Sequence, residues 1–237
     1  MPRKSSEAAK TKQRRGQIGE NYQAWIQSQE FSMNKSIATT FTDWKNGRTM
    51  HFVSMSAFYA YILLRFRDDV ENIYECYPLE IEATNAIADK LGYRRVAGGQ
   101  RHMVSDLLVE YTNGTTAVYC IKSSQKTLDL QKHKRVIEKL YIELCYWKGK
   151  GYPWTIIFAD EMIDKQKAIN IKNCAEFWDP LLVTTKEELF RYQVIHRLAS
   201  IDLSKKIDFA LLAEYYISNE EFTNFMNDRE NYMTKPK

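Results

Sequence analysis

The chain has 237 residues, enough for one large domain or two small ones around a real hydrophobic core. Hydrophobic residues make up 44% and charged residues 27%, with no run as long as a membrane span and no apolar signal core near the start, so the sequence reads as cytoplasmic and without a membrane partner. The net charge of +4 is unevenly spread, with basic residues gathered near the start and after the central hairpin.

Residues 1–15 carry Arg3, Lys4, Lys10, Lys12, Arg14 and Arg15 against a single Glu7. A basic stretch without apolar periodicity reads as a flexible arm, able to contact nucleic acid or simply to stay solvated. Tyr22 and Trp25 then anchor the start of the folded part. From Phe31 to Phe52 the residues alternate loosely around Asn46-Gly47, the pattern of a hairpin. Ser54 to Asp68 predicts a helix: Ser54 is a good N-cap, there is no Gly or Pro, and Phe58, Tyr61, Ile62, Leu64 and Phe66 lie nearly all round it. A capping box wants Glu or Gln three residues after the serine, and that position holds Ala57.

Val70 to Pro78 reads as a strand, and Glu80 to Leu91 as a helix stopped by Gly92. Val104 to Lys122 is the hairpin on which the rest turns, because two β-branched and aromatic runs flank Asn113-Gly114. Its polar intrusions are Asp106 and Lys122. A two-residue turn pairs Asp106 with Ile121 and sends Lys122 to the other face. A three-residue loop, Thr112 to Gly114 with glycine in the left-handed slot, pairs Asp106 with Cys120 and puts Lys122 on the same face, roughly 6–7 Å further along. Both loops fit the residues.

Beyond the hairpin lies a second basic patch: Lys126, Lys132, His133, Lys134 and Arg135. Residues 127–148 predict an amphipathic helix with Leu130, Ile137, Leu140, Tyr141, Leu144 and Trp147 on one stripe. Trp154 to Ala159 is a short apolar strand of the kind buried inside a sheet. Helices and strands in this order predict an α/β domain with a mixed sheet. Past a boundary at residue 164 only helical patterns follow, around 167–178, 185–199, 207–217 and 219–227, with Leu181 to Val183 as a weak strand at most. Cys76, Cys120, Cys145 and Cys174 form no C-x-x-C pair, and His51, His102, His133 and His196 show no ligand spacing. Both facts argue against zinc and against a disulfide framework. Carboxylates would have to hold any metal, which selects magnesium or manganese.

Taken together, these segments resemble the TnsA-type endonuclease subunits of heteromeric bacterial transposases. The resemblance is carried by Arg15-Gly16-Gln17 through Trp25, Asn46-Gly47-Arg48 with His51, Val70 through Leu79, Arg101 through Val109, Cys120-Ile121-Lys122, and Trp147 through Trp154 to Asp160. It spans most of residues 15–178, and the helical C-terminal part matches only in position and size. It implies a restriction-endonuclease-like core of the PD-(D/E)xK kind over 16–164, and a helical domain over 165–237 that touches a TnsC-type AAA+ regulator. It also implies cleavage of transposon-end DNA at the 5′ ends with Mg²⁺ or Mn²⁺, while a TnsB-type DDE transposase cuts the 3′ ends.

By the same resemblance Asp106 is the metal-binding acid and Lys122 the catalytic lysine. The Ile121 carbonyl can add an oxygen, and Cys120 stands at a ligand position for which its side chain is poorly suited. Arg14, Arg15, Lys126, Lys132, Lys134 and Arg135 are the expected DNA contacts. The family has a glutamate where this chain has Ala57, so the resemblance implies a disabled enzyme. Three accounts of Ala57 stand open: an engineered inactivating change, a natural subunit that serves only in assembly of transposase, regulator and DNA, or a displaced acid such as Glu75 or Glu20. A different nuclease of the same fold, cutting without partners, is the remaining alternative.

Overall fold

The computed structural model describes residues 6–30 and 38–232. The chain divides into two compact units, one comprising Met1–Phe41 and Thr49–Ile163, the other Thr42–Arg48 and Asp164–Lys237, as far as these are described. In chain order the elements up to residue 163 are α1 (Glu7–Lys12), β1 (Thr39–Thr42), β2 (Thr49–Phe52), α2 (Met55–Arg65), β3 (Val70–Pro78), α3 (Ile81–Lys90), β4 (Val104–Tyr111), β5 (Thr116–Lys122), α4 (Leu130–Gly149), β6 (Trp154–Phe158) and α5 (Ala159–Met162).

The main sheet has the order β3-β4-β5-β6, antiparallel across its first two pairings and parallel between β5 and β6. A parallel pair needs a crossover, and α4 supplies it. The sheet is therefore mixed, as the alternation of predicted helices and strands requires. β1 and β2 form a separate two-stranded sheet; the part of the predicted hairpin over residues 31–37 lies outside the described residues.

α2 forms where the sequence places it, with the Ser54 side chain accepting a hydrogen bond from the Ala57 amide at 3.1 Å. Its aromatic residues pack on β2, with the Phe58 and Tyr61 rings 5.4 and 4.9 Å from Phe52. On α4 the buried positions are Leu140, Ile142, Glu143, Tyr146 and Trp147. Ile142, Tyr146 and Trp147 join Tyr74, Cys76, Leu108 and Val118 of the sheet in one core, where full burial of a residue such as Leu108 stabilises by roughly 1.5–3 kcal/mol. This differs from the predicted stripe. Leu130 is largely exposed and Tyr141 about half exposed, the Tyr141 ring lying against Tyr93 at 6.4 Å. Glu143 takes the core position that periodicity alone assigns to an apolar residue.

The expected flexible arm is corrected over its described part. Residues 7–12 are helical, capped by Ser6. Lys10 and Arg15 are buried, with Arg15 Nη1 at 3.1 Å and Lys10 Nζ at 3.8 Å from Glu30 Oε2. These pairs join residues distant in sequence, so local charge pattern says nothing about them. Arg3 and Lys4 lie outside the described residues. Just beyond, Gly16 (φ +78°) runs so close to β3 that a Cβ would stand 2.3 Å from Pro78 Cγ.

The second unit is helical: α6 (Lys165–Ala175), α7 (Lys186–Ile195), α8 (Phe209–Tyr216) and α9 (Asn219–Tyr232). α7 starts at a complete capping box, in which Glu188 N–H donates to Thr185 Oγ1 and Glu188 Oε2 accepts from Thr185 N–H. Its Phe190 ring stacks on Tyr216 at 5.4 Å. Asn170 Nδ2 ties α6 to the later loop through the Leu203 and Lys205 carbonyls at 2.8 and 2.7 Å. The weak strand considered at Leu181–Val183 is instead a 3₁₀ turn over Pro180–Leu182.

Candidate active site

The β4–β5 register decides between the two loops. Leu107 pairs with Tyr119, Leu108 with Val118, Val109 with Ala117 and Glu110 with Thr116. Continuing this register to the tip leaves the three residues Thr112–Gly114 as the loop. Its hydrogen bonds are Tyr111 N–H to Thr115 O at 2.9 Å and Gly114 N–H to Tyr111 O at 2.8 Å. Gly114 sits at φ +78° with open space where a Cβ would go. Gly114→Ala is therefore expected to cost about 1–2 kcal/mol through backbone conformation alone, with no clash to relieve. Urea denaturation checks this, and an unchanged midpoint would contradict the loop assignment.

With this register Asp106 and Lys122 converge. Asp106 Oδ2 accepts a hydrogen bond from the Ile121 amide at 2.7 Å and lies 3.6 Å from Lys122 Nζ. Lys122 Nζ also donates to Cys120 Sγ at 2.9 Å and to the Ile121 carbonyl at 3.0 Å. About a quarter of each side chain is open to solvent (22% for Lys122, 24% for Asp106), so a substrate could reach both. Burial works against the Lys122 charge, yet Asp106 and Cys120 outweigh it and hold the ammonium above the ordinary lysine range. Lys122 is thus a fixed cation. Asp106→Asn should make its amine easier to deprotonate, which NMR titration of the side chain would register; no downward movement would mean that Asp106 does not sustain the charge.

Glu143 escaped the sequence reading. Its Oε1 accepts from Ser105 Oγ at 2.6 Å, and Trp147 Nε1 donates to the same hydroxyl at 2.8 Å. Burial pushes the Glu143 carboxyl up to about 7, the Ser105 hydrogen bond opposes this, and the nearby Asp106 charge adds to it. An acid inserted among Leu140, Tyr146 and Trp147 on the apolar face of a helix was the available signal. Cys120 is likewise shielded: burial first, then Glu143 and Asp106, keep its thiol from ionising.

Ala57 is buried at the third position of α2, a helix that packs against β3, β4 and β5. Its amide is tied to Ser54, but alanine cannot return the second half of the capping box that α7 possesses. Of the two acids considered as substitutes, Glu75 is buried on β3 with Oε1 accepting the His51 amide at 3.1 Å, and Glu20 is exposed.

A divalent ion of the magnesium class needs several oxygen donors. The residues present offer one carboxylate, a carbonyl already engaged by Lys122 and an un-ionised thiol, and no group of three or more His, Cys, Asp or Glu able to hold a metal occurs among the described residues. That donor set does not fit such an ion.

The expected DNA contacts fall into different environments. Arg15 is buried, paired with Glu30 and donating to the Trp25 carbonyl. Arg135 is half-buried and paired with Glu138 at 3.0 Å. Arg14, Lys126, Lys132 and Lys134 are exposed, Lys132 with an i,i+3 contact to Asp129 at 3.7 Å.

Comparison with known proteins places this hairpin. A family described as TnsA-like endonuclease N terminal matches residues 67–158. Residues 67–158 are thus similar to a TnsA-like endonuclease domain. The match covers β3 to β6 and with them Asp106, Cys120, Ile121 and Lys122, but it starts beyond Ala57. The mixed sheet with α2 and α4 against it is consistent with the restriction-endonuclease-like fold of that domain. The chain is also 29% identical over 168 residues to the Transposon Tn7 transposition protein TnsA of Escherichia coli. That similarity takes in 70% of this chain and 60% of the relative, so less than two thirds of the relative's length is matched. No helix among the described residues is long and apolar enough to cross a membrane.

Proposed function

We propose that the chain is the endonuclease-fold subunit of a heteromeric transposase, built to cut the 5′ ends of a transposon beside a TnsB-type transposase, and that Ala57 leaves it unable to do so. The observation that carries this reading is the Asp106–Lys122 pair, set at 3.6 Å by the hairpin register inside the TnsA-like segment. In such a site Lys122 places a permanent positive charge where a scissile phosphate would lie, and Asp106 keeps Oδ1 without a hydrogen bond among the described residues. Metal-assisted hydrolysis is the chemistry of the class, and it requires a second carboxylate that this chain lacks at position 57. Exposed Arg14, Lys126, Lys132 and Lys134 would follow the DNA backbone. The helical unit after residue 163 would meet the TnsC-type regulator.

A second reading is favoured by the same donor set: a subunit that contributes assembly alone, bridging transposase, AAA+ regulator and DNA. The two separate in one experiment. The chain and its Ala57→Glu variant are each combined with the partner transposase, transposon-end DNA and Mg²⁺ or Mn²⁺, and 5′-end cleavage is scored. Cleavage by the variant alone supports the disabled endonuclease. Cleavage by neither, with the chain still required for assembly on the ends, supports the bridge.

A further inference from the structure

The loop between α3 and β4 runs Tyr93-Arg94-Arg95-Val96-Ala97-Gly98-Gly99-Gln100-Arg101 and is tied down at four points. The Tyr93 ring meets Tyr141 of α4 edge-on at 6.4 Å. Arg95 forms a two-pronged pair with Asp89 at 2.8 and 2.5 Å. Arg135 Nη2 donates to the Arg95 carbonyl at 3.3 Å, and Asn85 Nδ2 donates to the Gly99 carbonyl at 3.1 Å. These ties hold Ala97 at φ +47°, a left-handed conformation that a non-glycine residue adopts only when its surroundings impose it.

The ties also sort the cations. Arg95 is consumed by Asp89, and Arg135 by Glu138 and the loop carbonyl. Arg94 and Lys139 are exposed and make no ion pair among the described residues. They are nevertheless close enough to feel each other: burial, then Arg135, then Arg94 lower the Lys139 pKa. The Arg135–Arg95 carbonyl bond fixes the loop against α4, and cations gathered there without counter-charges raise a positive potential that an anion relieves. The cations are exposed on a loop and a helix face rather than enclosed, which suits a repeating polyanion better than a small one. Arg135 and Lys139 stand one helical turn apart, about 6 Å along α4. The same element carries Lys132 and Lys134 nearer its start, on either side of a kink at His133.

We propose that Arg94 and Lys139, presented by the braced Arg94–Arg101 loop and the adjoining face of α4, bind the phosphodiester backbone of duplex DNA. The inference rests on the reading above that DNA is the partner, and it adds a contact region beyond the hairpin end and the start of α4.

The test uses the full chain and a labelled duplex of about 20 base pairs, with affinity measured by fluorescence anisotropy over a series of salt concentrations. Arg94→Gln with Lys139→Gln is expected to weaken binding about tenfold and to reduce the slope of log affinity against log salt by about two. The charge-keeping pair Arg94→Lys with Lys139→Arg should retain both affinity and slope. Unchanged binding by the glutamine pair would overturn the proposal and leave DNA as partner. Equal losses in both pairs would overturn it too, since charge would then not be the cause. No duplex binding by the unaltered chain would overturn this proposal and the DNA-partner reading together.

Discussion

Replacing Ala57 with glutamate is expected to raise metal-dependent cleavage of transposon-end DNA by about 10²–10³-fold, the scale on which one transition-state-stabilising group acts. The reasoning starts from the helix. Position 57 lies in the first turn of α2, where the unpaired amides and the helix dipole favour a carboxylate. It is also buried against the sheet, only 4% exposed, so a charge introduced there is costly unless something neutralises it. A divalent ion shared with Asp106 would do so, and this yields a second readout. The variant alone should gain thermal stability from Mn²⁺, by about 2.7 kcal/mol at a hundredfold excess over its dissociation constant, whereas the unaltered chain should not respond. A variant that neither cleaves nor responds to metal would sink the disabled-endonuclease reading.

The second large effect is a pH dependence set by Glu143. Its carboxyl titrates at about 7 in the folded chain against an ordinary value of 4.5, so the folded state holds the proton more tightly than the unfolded state. The associated stability is complete below the unfolded value and is lost as pH rises from about 4.5 through 7. The loss amounts to something on the order of 3 kcal/mol. Glu143→Gln keeps the shape and an acceptor for Ser105 but has no proton to lose. Urea unfolding at pH 5 and pH 8 should therefore show the unaltered chain losing ground against the variant at the higher pH. Parallel profiles would mean that Glu143 is ionised in the folded state after all. Because Ser105 precedes Asp106 directly, the same comparison tells whether ionising this acid disturbs the hairpin end.

Much of this architecture is local chemistry and was legible in residue order. The strand at Val70–Pro78, the helix cap at Ser54 and the hairpin around Gly114 each depend on neighbours within a few positions. Even the choice between two hairpin registers was visible as a choice, though not its outcome. What escaped depends on partners distant in sequence. Arg15 looks like any cation of a basic arm until Glu30 is brought against it. Tyr141 stays about half exposed against Tyr93 and Glu143 is buried on Ser105, contacts with partners far off in sequence. The candidate site shows the same division: which residues carry chemistry could be read from type and spacing, but the engagement of the Ile121 carbonyl by Lys122, which helps decide whether an ion fits, could not.

The short hairpin loop has a consequence for how the site comes into being. Asp106 and Lys122 belong to one hairpin closed by a three-residue turn, so contacts close in sequence bring them together. Position 57 belongs to a helix that must dock on that sheet as a later, longer-range step. The acid–lysine pair is thus held within one hairpin, whereas a carboxylate at position 57 would be delivered by another element. On the function proposed above, the switch between a cutting and a non-cutting subunit can then be a single residue, with the acid–lysine pair left in place.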